Sequence, residues 1–312
     1  MTAQLRYYFN LIENCNMCGA ATKEHKILGK RLNRSQGLNP KGKIGIATSV
    51  VRCSKCGLVY PNPLPIPFDL QDHYGIPPES YWNEEYFKSD ESHFRNEFAT
   101  LSKFLKITEG MKSLDVGAGL GKAMIYLASL GFDSYGFEPS RPFYERAITR
   151  TGISPDKFKF GAIENIEYDE KSFDFITFGA VLEHLYDPAG SITKAMKWLK
   201  PGGIIHFSVP SSDWLVARIV NFYHRLRGTD YVVNISPMHE PFHLYEFTPE
   251  SFVEHAKKNN YELVHHEIAV CETHLPRVCD PLLKPVMTFT NTGMQIIGWL
   301  RKSGPLSENE LV

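Results

Sequence analysis

Four cysteines stand in two close pairs, Cys15-x-x-Cys18 and Cys53-x-x-Cys56. Each pair is followed by a glycine, which permits the tight turn that wraps two sulfurs around one metal ion. Four soft thiolates are a typical zinc donor set, and a tetrahedral site of four protein ligands leaves no position for a catalytic water. We therefore expect a structural zinc ion that contributes on the order of 10 kcal/mol to the folding of a small module. A redox pair and two disulfides are the alternatives.

A second group of residues forms a glycine-rich turn, LDVGAGLGK at Leu114–Lys122, which ends a predicted strand and opens a predicted helix. Glycines at such a turn let the backbone approach a ligand closely. The GxGxG spacing differs from the GxGxxG pattern that places a pyrophosphate at a helix N-terminus, so a dinucleotide is disfavoured.

The next predicted strand ends at Glu138, about 20 residues after the glycine turn, where a carboxylate can accept hydrogen bonds from both hydroxyls of a ribose. The glycine turn and this acid together predict a cofactor that contains a nucleoside. The alternative is that Asp115 and Glu138 are solvated strand ends.

Two further segments complete a family pattern, FDFITFGAVLEHLYDP at Phe173–Pro188 and LKPGG at Leu199–Gly203. With the glycine turn and Glu138, they resemble the sequential motifs of class I S-adenosylmethionine-dependent methyltransferases, over the chain from about Ser80 to the C-terminus. The resemblance implies that the glycine turn holds the methionine moiety of S-adenosylmethionine and that Glu138 holds its ribose.

The same resemblance implies that residues after the third strand flank the adenine and that residues after the fourth strand lie near the reacting methyl. An acidic residue that often stands beside the adenine amine is replaced by Ala162, so we expect backbone groups to recognise the base. Tyr81 either covers the cofactor or packs on the core. The expected cofactor-binding residues are Asp115, Gly117, Ala118, Gly119, Gly121, Glu138, Pro139, Ala162, Ile163, Gly179, Ala180 and Tyr81.

Methyl transfer from a sulfonium is an in-line displacement, and a hydroxyl or carbon acid that accepts the methyl must also lose a proton. A histidine with a pKa near neutrality suits this task. The histidine-rich segment Met238–Thr248 makes His243 the expected base, with His239 and Glu240 as partners that fix its tautomer. His184 either faces the cofactor or serves a packing role, and packing is the alternative for the other histidines as well.

The cysteine module and its proline-rich exit resemble the N-terminal zinc-binding domain of a bacterial methyltransferase group that includes nucleotide-sugar C-methyltransferases. These enzymes carry a Tyr-x-Glu-His element, whose tyrosine and glutamate correspond to Glu240 and Phe242 here when the histidine is aligned with His243. This departure favours histidine-assisted O-methylation over carbanion chemistry. The expected acceptor is a hydroxyl or carbon of a sugar or a nucleotide-linked sugar.

The elements that must position these residues alternate between strand and helix. We expect an α/β fold, with a Rossmann-like doubly wound, mostly parallel seven-stranded sheet behind a small N-terminal module. The expected organisation is a zinc-binding module at 1–67, a connector and helical lead-in at 68–110, and a methyltransferase domain at 111–312 with a lid at 212–247.

Three elements carry specific expectations. An amphipathic helix is predicted over Tyr81–Lys106, and the helix of SITKAMKWLKPGG is predicted to end at its Pro-Gly-Gly. The segment Met294–Arg301 fits either a final edge strand or a buried helix.

The net charge of −1 provides no global positive field for a nucleic acid, so we expect a small-molecule partner in the cytoplasm. We expect neither a secretory signal nor a membrane span. An RNA methyltransferase is the alternative, and a non-catalytic binding protein is a third hypothesis. The RNA alternative depends on a local basic patch of Lys23, Lys26, Lys30, Arg31, Arg34, Lys41 and Lys43. The oligomeric state is not predicted.

Overall fold

The structure is a computed structural model that describes residues 7–33, 47–74, 94–271 and 273–303. The N-terminal part forms two small antiparallel sheets, one of three strands in the order β2-β3-β4 and one that pairs β1 with β5. The elements are β1 (Tyr7–Asn10), β2 (Lys26–Leu32), β3 (Ala47–Arg52), β4 (Val59–Pro61), β5 (Leu64–Pro67) and α1 (Gln71–Tyr74).

The rest of the described chain alternates strands and helices. Among the described residues, no helix combines the length and the apolar character that crossing a bilayer requires. The elements are α2 (Arg95–Leu101), β6 (Lys112–Val116), α3 (Lys122–Ser129), β7 (Asp133–Glu138), α4 (Arg141–Thr151), β8 (Phe158–Phe160), β9 (Phe173–Gly179), α5 (Pro188–Trp198), β10 (Leu199–Pro210), α6 (Leu215–Leu226), α7 (Pro249–Ala256), β11 (Tyr261–Ala269), α8 (Asp280–Thr290) and β12 (Gln295–Lys302).

These strands form one seven-stranded sheet in the order β11-β12-β10-β9-β6-β7-β8. Every pair of neighbouring strands within the group β6 to β10 is parallel. The strand β12 is antiparallel to both β10 and β11. The chain leaves β6 towards β7 and β8 on one side and returns to β9 on the other. In sheets of this type, ligands bind at the carboxyl ends of the strands where the order switches. The predicted Rossmann-like fold class is confirmed.

Local signals in the sequence explain where the helices next to this switch point begin and end. Ser140 caps α4 by accepting a hydrogen bond from the backbone N–H of Phe143, and proline follows in the first turn. The same helix ends at Gly152, which has a left-handed φ of 72°. Asp187 caps α5 in the same manner, through the N–H of Gly190. The helix α4 therefore starts directly after Ser140, which lines the switch point.

Two predictions about secondary structure are wrong. The helix α5 ends at Trp198 and does not reach Pro-Gly-Gly, because Leu199 is already extended and pairs with Phe173 of β9. The last segment is a strand, but β12 is not at the sheet edge, since it pairs with β10 on one side and β11 on the other. Of the helix predicted over Tyr81–Lys106, the structure describes only the residues from 94 onward. Among these, Arg95–Leu101 form the helix α2.

The N-terminal sheets pack on the segment that was predicted to be a lid, residues 212–247. Val59 of β4 exchanges two backbone hydrogen bonds with Glu246, at 2.9 and 3.0 Å. Lys30 of β2 accepts a backbone hydrogen bond from Val232 at 3.0 Å and donates one to Asp230 at 2.7 Å. The N-terminal part and this segment are therefore joined by main-chain bonds as well as by side-chain packing. The domain boundaries themselves stay a prediction.

Candidate active site and metal centre

A cavity of about 1090 Å³ lies at the carboxyl ends of β6, β7, β9 and β10. Most of the predicted cofactor-binding and catalytic residues line it. Gly121 belongs to the same glycine turn without lining the cavity, and Tyr81 falls outside the described residues. The predicted residues that line the cavity are Asp115, Gly117, Ala118, Gly119, Glu138, Pro139, Ala162, Ile163, Gly179, Ala180, His184, His239, Glu240 and His243.

The glycine turn between β6 and α3 depends on left-handed backbone geometry. Gly117 has a φ of 65°, and a Cβ atom there would lie 2.8 Å from a methyl group of Val181. Gly121 has a φ of 73°, and its Cβ would lie 2.1 Å from Ile153. Larger residues would therefore strain the turn and push against Val181 or Ile153. Gly179 faces open space on the other side of the same crevice.

The carboxylate of Glu138 is buried at the end of β7 and is held by two backbone N–H groups. Gly119 donates to Oε2 and Ser140 donates to Oε1, each at 2.8 Å. Burial raises the pKa of Glu138 to about 7, while these two hydrogen bonds act in the opposite direction. Each carboxylate oxygen retains a lone pair that can accept a further hydrogen bond. The side chain is thus oriented to receive a pair of hydroxyl groups, as the ribose interpretation requires.

A second carboxyl group, that of Asp115, lines the same part of the cavity and is also buried. Burial raises its pKa to about 8, and the negative charge of Glu138 adds to that shift. Neither acid is a solvated strand end, so the alternative interpretation of these two residues is wrong.

The loop after β8 is fixed beside Glu138. Gly161 donates its backbone N–H to the carbonyl of Glu138 at 3.0 Å, and Lys194 of α5 donates to the carbonyl of Ile163 at 2.9 Å. Ile163 is 3% exposed and presents an apolar surface to the cavity next to Ala162. An apolar wall adjoining a buried carboxylate suits a flat aromatic base.

Two histidine rings meet on another wall of the cavity. The ring centroids of His184 and His243 are 4.8 Å apart in a T-shaped arrangement. The Nδ1 of His184 lies 3.3 Å from the carbonyl of Phe242, to which it donates when it carries the proton, and Nε2 then has a free lone pair. Burial lowers the pKa of His184 to about 4 and that of His243 well below its usual range. Both rings are therefore neutral at physiological pH, and the lowered pKa makes each a weaker base than the near-neutral histidine that the sequence predicted.

Glu183 lies beside this pair and was not among the residues predicted to be catalytic. Its side chain is 2% exposed, and Oε2 has no hydrogen-bond partner among the described residues. Oε1 lies 4.0 Å from Nε2 of His184. Three potential ligand atoms lie within 4.8 Å of one another, one each from Glu183, His184 and His243. This spacing would also permit them to bind a divalent cation. The adjacent Glu-His of the LEH motif is the sequence signal that could have identified Glu183.

His239 and Glu240 do not adopt the predicted arrangement around His243. The Nε2 of His239 lies 3.1 Å from Nη2 of Arg31, so this ring is paired with the arginine. Glu240 lines the cavity, and no hydrogen bond joins it to His243 within the described part of the chain. The polar contact of the His243 backbone is instead with Ser236.

The RNA alternative counts Arg31 in a local basic patch, but the buried position of this side chain does not suit contact with RNA. The side chain of Arg31 is 6% exposed and lines the cavity, because β2 carries it under the segment 212–247. Lys30 of the same strand forms an ion pair with Asp230 at 3.3 Å. Three more basic residues of the patch lie outside the described residues, namely Arg34, Lys41 and Lys43.

The four paired cysteines converge at the other end of the N-terminal part. The Sγ atoms of Cys15 and Cys56 are 3.6 Å apart, and those of Cys18 and Cys53 are 3.4 Å apart. All four side chains are buried, and none of the six cysteines, all of which are described, is in a disulfide. Zn–S bonds of about 2.3 Å in tetrahedral geometry require sulfur separations of about 3.8 Å. The donor set and its spacing therefore fit a zinc ion.

A family model described as a methyltransferase domain matches residues 90–266, which is more than half of the 312-residue chain. The chain belongs to this methyltransferase family. Membership confirms the predicted enzyme class, an S-adenosylmethionine-dependent methyltransferase.

The methyltransferase is also similar to individual curated proteins over part of its length. It is 28% identical over 131 residues to a ubiquinone biosynthesis O-methyltransferase of Burkholderia vietnamiensis, covering 41% of this chain and 54% of that protein. It is 36% identical over 102 residues to a protein of the same name from Colwellia psychrerythraea, covering 31% and 41%. The chain spans about half the length of the curated relatives it matches.

Solved structures with a similar chain trace include a protein from Pyrococcus horikoshii, with a TM-score of 0.48 and 16% identity, covering 75% of this chain and 100% of that one. A methyltransferase from Methanosarcina mazei has a TM-score of 0.48 and 18% identity, covering 66% and 98%.

Replacing Glu138 tests the ribose interpretation. Glu138→Ala should weaken the binding of S-adenosylmethionine at least tenfold, which is about 1.4 kcal/mol, because two hydrogen-bond acceptors are lost. In the wild type, affinity should rise as the pH increases through about 7, since the carboxylate accepts two hydroxyl groups and its protonated form does not. Isothermal titration calorimetry between pH 6 and pH 8 measures both effects.

Glu138→Gln is the matched control, because it keeps the side-chain shape and removes the titration at this position. We expect its pH dependence to be flatter than that of the wild type, with the remainder due to Asp115. Unchanged affinity in Glu138→Ala would contradict the role of this residue.

Proposed function

We propose that the protein transfers the methyl group of S-adenosylmethionine to an oxygen atom of a small molecule. The observation that carries this proposal is one continuous cavity lined by Glu138 and the glycine turn as well as by the pair His184 and His243. The proposed cofactor site and the proposed proton acceptor thus face one cavity. The names of the relatives from Burkholderia vietnamiensis and Colwellia psychrerythraea, which are O-methyltransferases, support oxygen as the methylated atom.

The residues of the cavity suit this cofactor. When bound, S-adenosylmethionine supplies an activated methyl group on a sulfonium. Glu138 would hold the ribose, and the apolar surface of Ile163 would flank the adenine. The left-handed glycines would let the backbone approach the methionine moiety. The open space beside Gly179 would accommodate the end that carries the methyl.

We propose His243 as the base that removes the acceptor proton while the new bond forms. Its buried ring is neutral, so one ring nitrogen has a lone pair for the acceptor proton, and the lowered pKa makes it a weaker base than the near-neutral histidine that the sequence predicted. His184 packs against it with Nδ1 held by the carbonyl of Phe242, which restricts how the two rings can move. His184 is accordingly a positioning residue in this proposal.

The size of the cavity supports a small acceptor, because pockets for small molecules typically enclose about 300 to 1,000 Å³. A volume of about 1090 Å³ leaves room for the cofactor and a compact second molecule. A sugar or nucleotide-linked sugar stays within the proposed range of acceptors. RNA is less well supported as an acceptor than a small molecule, since Arg31 is buried and Lys30 forms an ion pair with Asp230.

Replacing His243 tests the proposed base. His243→Ala should lower kcat at least about 100-fold and leave the affinity for S-adenosylmethionine within about twofold, because the ring acts on the acceptor. Release of S-adenosylhomocysteine with a panel of sugars, nucleotide-linked sugars and phenols measures turnover. His265→Ala, on the edge strand β11, is the matched control and should leave turnover unchanged.

The same assay separates a base from a bound cation. Activity that survives prolonged treatment with EDTA agrees with the proposal. Loss of activity with EDTA and its recovery with Mg²⁺ or Mn²⁺ would instead assign Glu183, His184 and His243 to a metal ion and overturn the base. Full activity of His243→Ala would overturn it as well.

We also propose that Cys15, Cys18, Cys53 and Cys56 bind one structural zinc ion. The two cysteine turns are tied to the methyltransferase domain, since Thr248 at the start of α7 donates to the carbonyl of Cys56 at 2.5 Å. Lys258 donates to the carbonyl of Cys18 at 2.6 Å. The metal would therefore stabilise more than the N-terminal sheets alone. Free thiols at this density suit a reducing compartment such as the cytoplasm.

Metal analysis of the purified protein tests the zinc proposal. We expect one zinc per chain, and Cys53→Ser should lose the metal together with several kcal/mol of stability, because a buried four-thiolate site contributes directly to folding. Cys279→Ser is the control and should retain both the zinc and the melting temperature. A metal-free protein that unfolds at the same temperature as the zinc-loaded form would reject the site.

A further inference from the structure

Arg31 is a buried cation in the wall of the cavity, contributed by the N-terminal part of the chain. Its guanidinium is anchored at two of three nitrogens. Nε donates to the carbonyl of Ile235 at 2.8 Å, and Nη2 donates to Nε2 of His239 at 3.1 Å. The third nitrogen, Nη1, is buried and has no acceptor among the described residues. The side chain is therefore held rigidly with one donor group unused.

Among the described residues, no carboxylate forms an ion pair with Arg31. The acid whose negative charge acts on it is Glu246. The carboxylate of Glu246 is already used, because Asn234 donates to one oxygen at 2.7 Å and the N–H of Ile235 to the other at 3.3 Å. A buried guanidinium without a carboxylate partner is costly, and its forked donors match carboxylates and phosphates.

The contact with His239 adds a second donor at the same place. Because Arg31 can only donate, Nε2 of His239 must accept, and Nδ1 then carries the proton. That Nδ1 is buried and has no partner with hydrogen-bond geometry among the described residues. Burial and the positive charge of Arg31 lower the pKa of His239 to about 4, whereas the backbone carbonyl of Asn33 acts in the opposite direction. The pair is thus a fixed cation beside a neutral ring, and Nη1 of Arg31 is the donor that still requires an acceptor.

This pair lies next to the proposed base. Ile235, which anchors Arg31, is followed by Ser236, and Ser236 exchanges two hydrogen bonds with His243. The N–H of Ser236 donates to the carbonyl of His243 at 2.8 Å, and the N–H of His243 donates to Oγ of Ser236 at 3.1 Å. An anionic group on Arg31 would therefore be held by the same short segment that carries the base.

We propose that Arg31 binds an oxyanion of the methyl acceptor, a carboxylate or a phosphate group, so that the enzyme selects anionic small molecules. This inference rests on the proposed function, in which the cavity holds both the cofactor and the acceptor. It gives the N-terminal part a role in substrate recognition, since β2 delivers the only guanidinium that lines the cavity in the described part of the chain.

Binding of simple anions tests the proposal without knowledge of the acceptor. The probes are inorganic phosphate and acetate, titrated by calorimetry into the full-length protein saturated with S-adenosylhomocysteine, with ionic strength kept constant by NaCl. The wild type should bind at least one of them saturably. Arg31→Gln should weaken that binding at least tenfold, because the charge is lost. Preference between the two probes then distinguishes a phosphate acceptor from a carboxylate acceptor.

Two further variants keep the test decisive. Lys30→Gln removes the same charge from the neighbouring position of β2, where the side chain is 55% exposed, and should leave anion binding unchanged. His239→Ala leaves the bond between Nε of Arg31 and Ile235 in place and should weaken binding several-fold, so it replaces Arg31→Gln if that variant does not fold.

Anion binding that is unaffected by both Arg31→Gln and His239→Ala would overturn the proposal, as would a wild type that binds neither probe. If S-adenosylhomocysteine itself does not bind, the proposed function fails. If it binds with normal affinity while the anions do not, only the role of Arg31 fails.

Discussion

Two backbone hydrogen bonds hold the buried carboxylate of Glu138 between the glycine turn and the start of α4, and the geometry of the cavity depends on them. The N–H of Gly119 reaches Oε2 only because the turn adopts left-handed glycine conformations. The backbone carbonyl of Glu138 also accepts a hydrogen bond from the N–H of Gly161. Glu138 therefore connects the glycine turn, β7 and the loop after β8. These three segments are the ones that a nucleoside would contact, and they cannot shift independently.

The cysteine-containing part of the chain is built into the same site. The capping threonine of α7 binds the carbonyl of Cys56, and main-chain bonds join Val59 to Glu246. Arg31 then extends from β2 to the carbonyl of Ile235 and to His239 in the cavity wall. The stability of the cysteine cluster and the shape of the proposed acceptor end are therefore coupled, because both depend on the packing of this part against residues 212–247.

Much of this arrangement could be predicted from the sequence because its signals are local. The glycine turn and Glu138 lie on consecutive elements, and the paired cysteines carry their spacing in the chain itself. The helix α5 was predicted to continue to Pro-Gly-Gly, because this tripeptide is a strong signal for the end of a helix. In the structure Pro-Gly-Gly lies inside β10, and Leu199, which precedes it, already pairs with Phe173 of β9. An apolar run such as that of β12 fits a strand or a helix equally well, and only its two neighbours decide.

The acceptor end could not be predicted because it is assembled from distant residues. Arg31 and Ile235 are 204 positions apart in the sequence, and a lysine- and arginine-rich segment ordinarily indicates a solvated surface. The burial of Glu183 and the meeting of His184 with His243 likewise depend on tertiary packing, although the LEH motif placed two of these residues side by side. Local motifs therefore predicted the residues of the proposed cofactor end, whereas the proposed acceptor end required the structure.

A crystal structure with S-adenosylhomocysteine would show how the cavity holds a nucleoside. We expect the ribose hydroxyls within hydrogen-bond distance of both carboxylate oxygens of Glu138, with the adenine against Ile163. We also expect the sulfur on the side of the cavity occupied by Gly179. A nucleoside bound away from Glu138, or a pyridine or flavin dinucleotide retained in its place, would contradict these expectations.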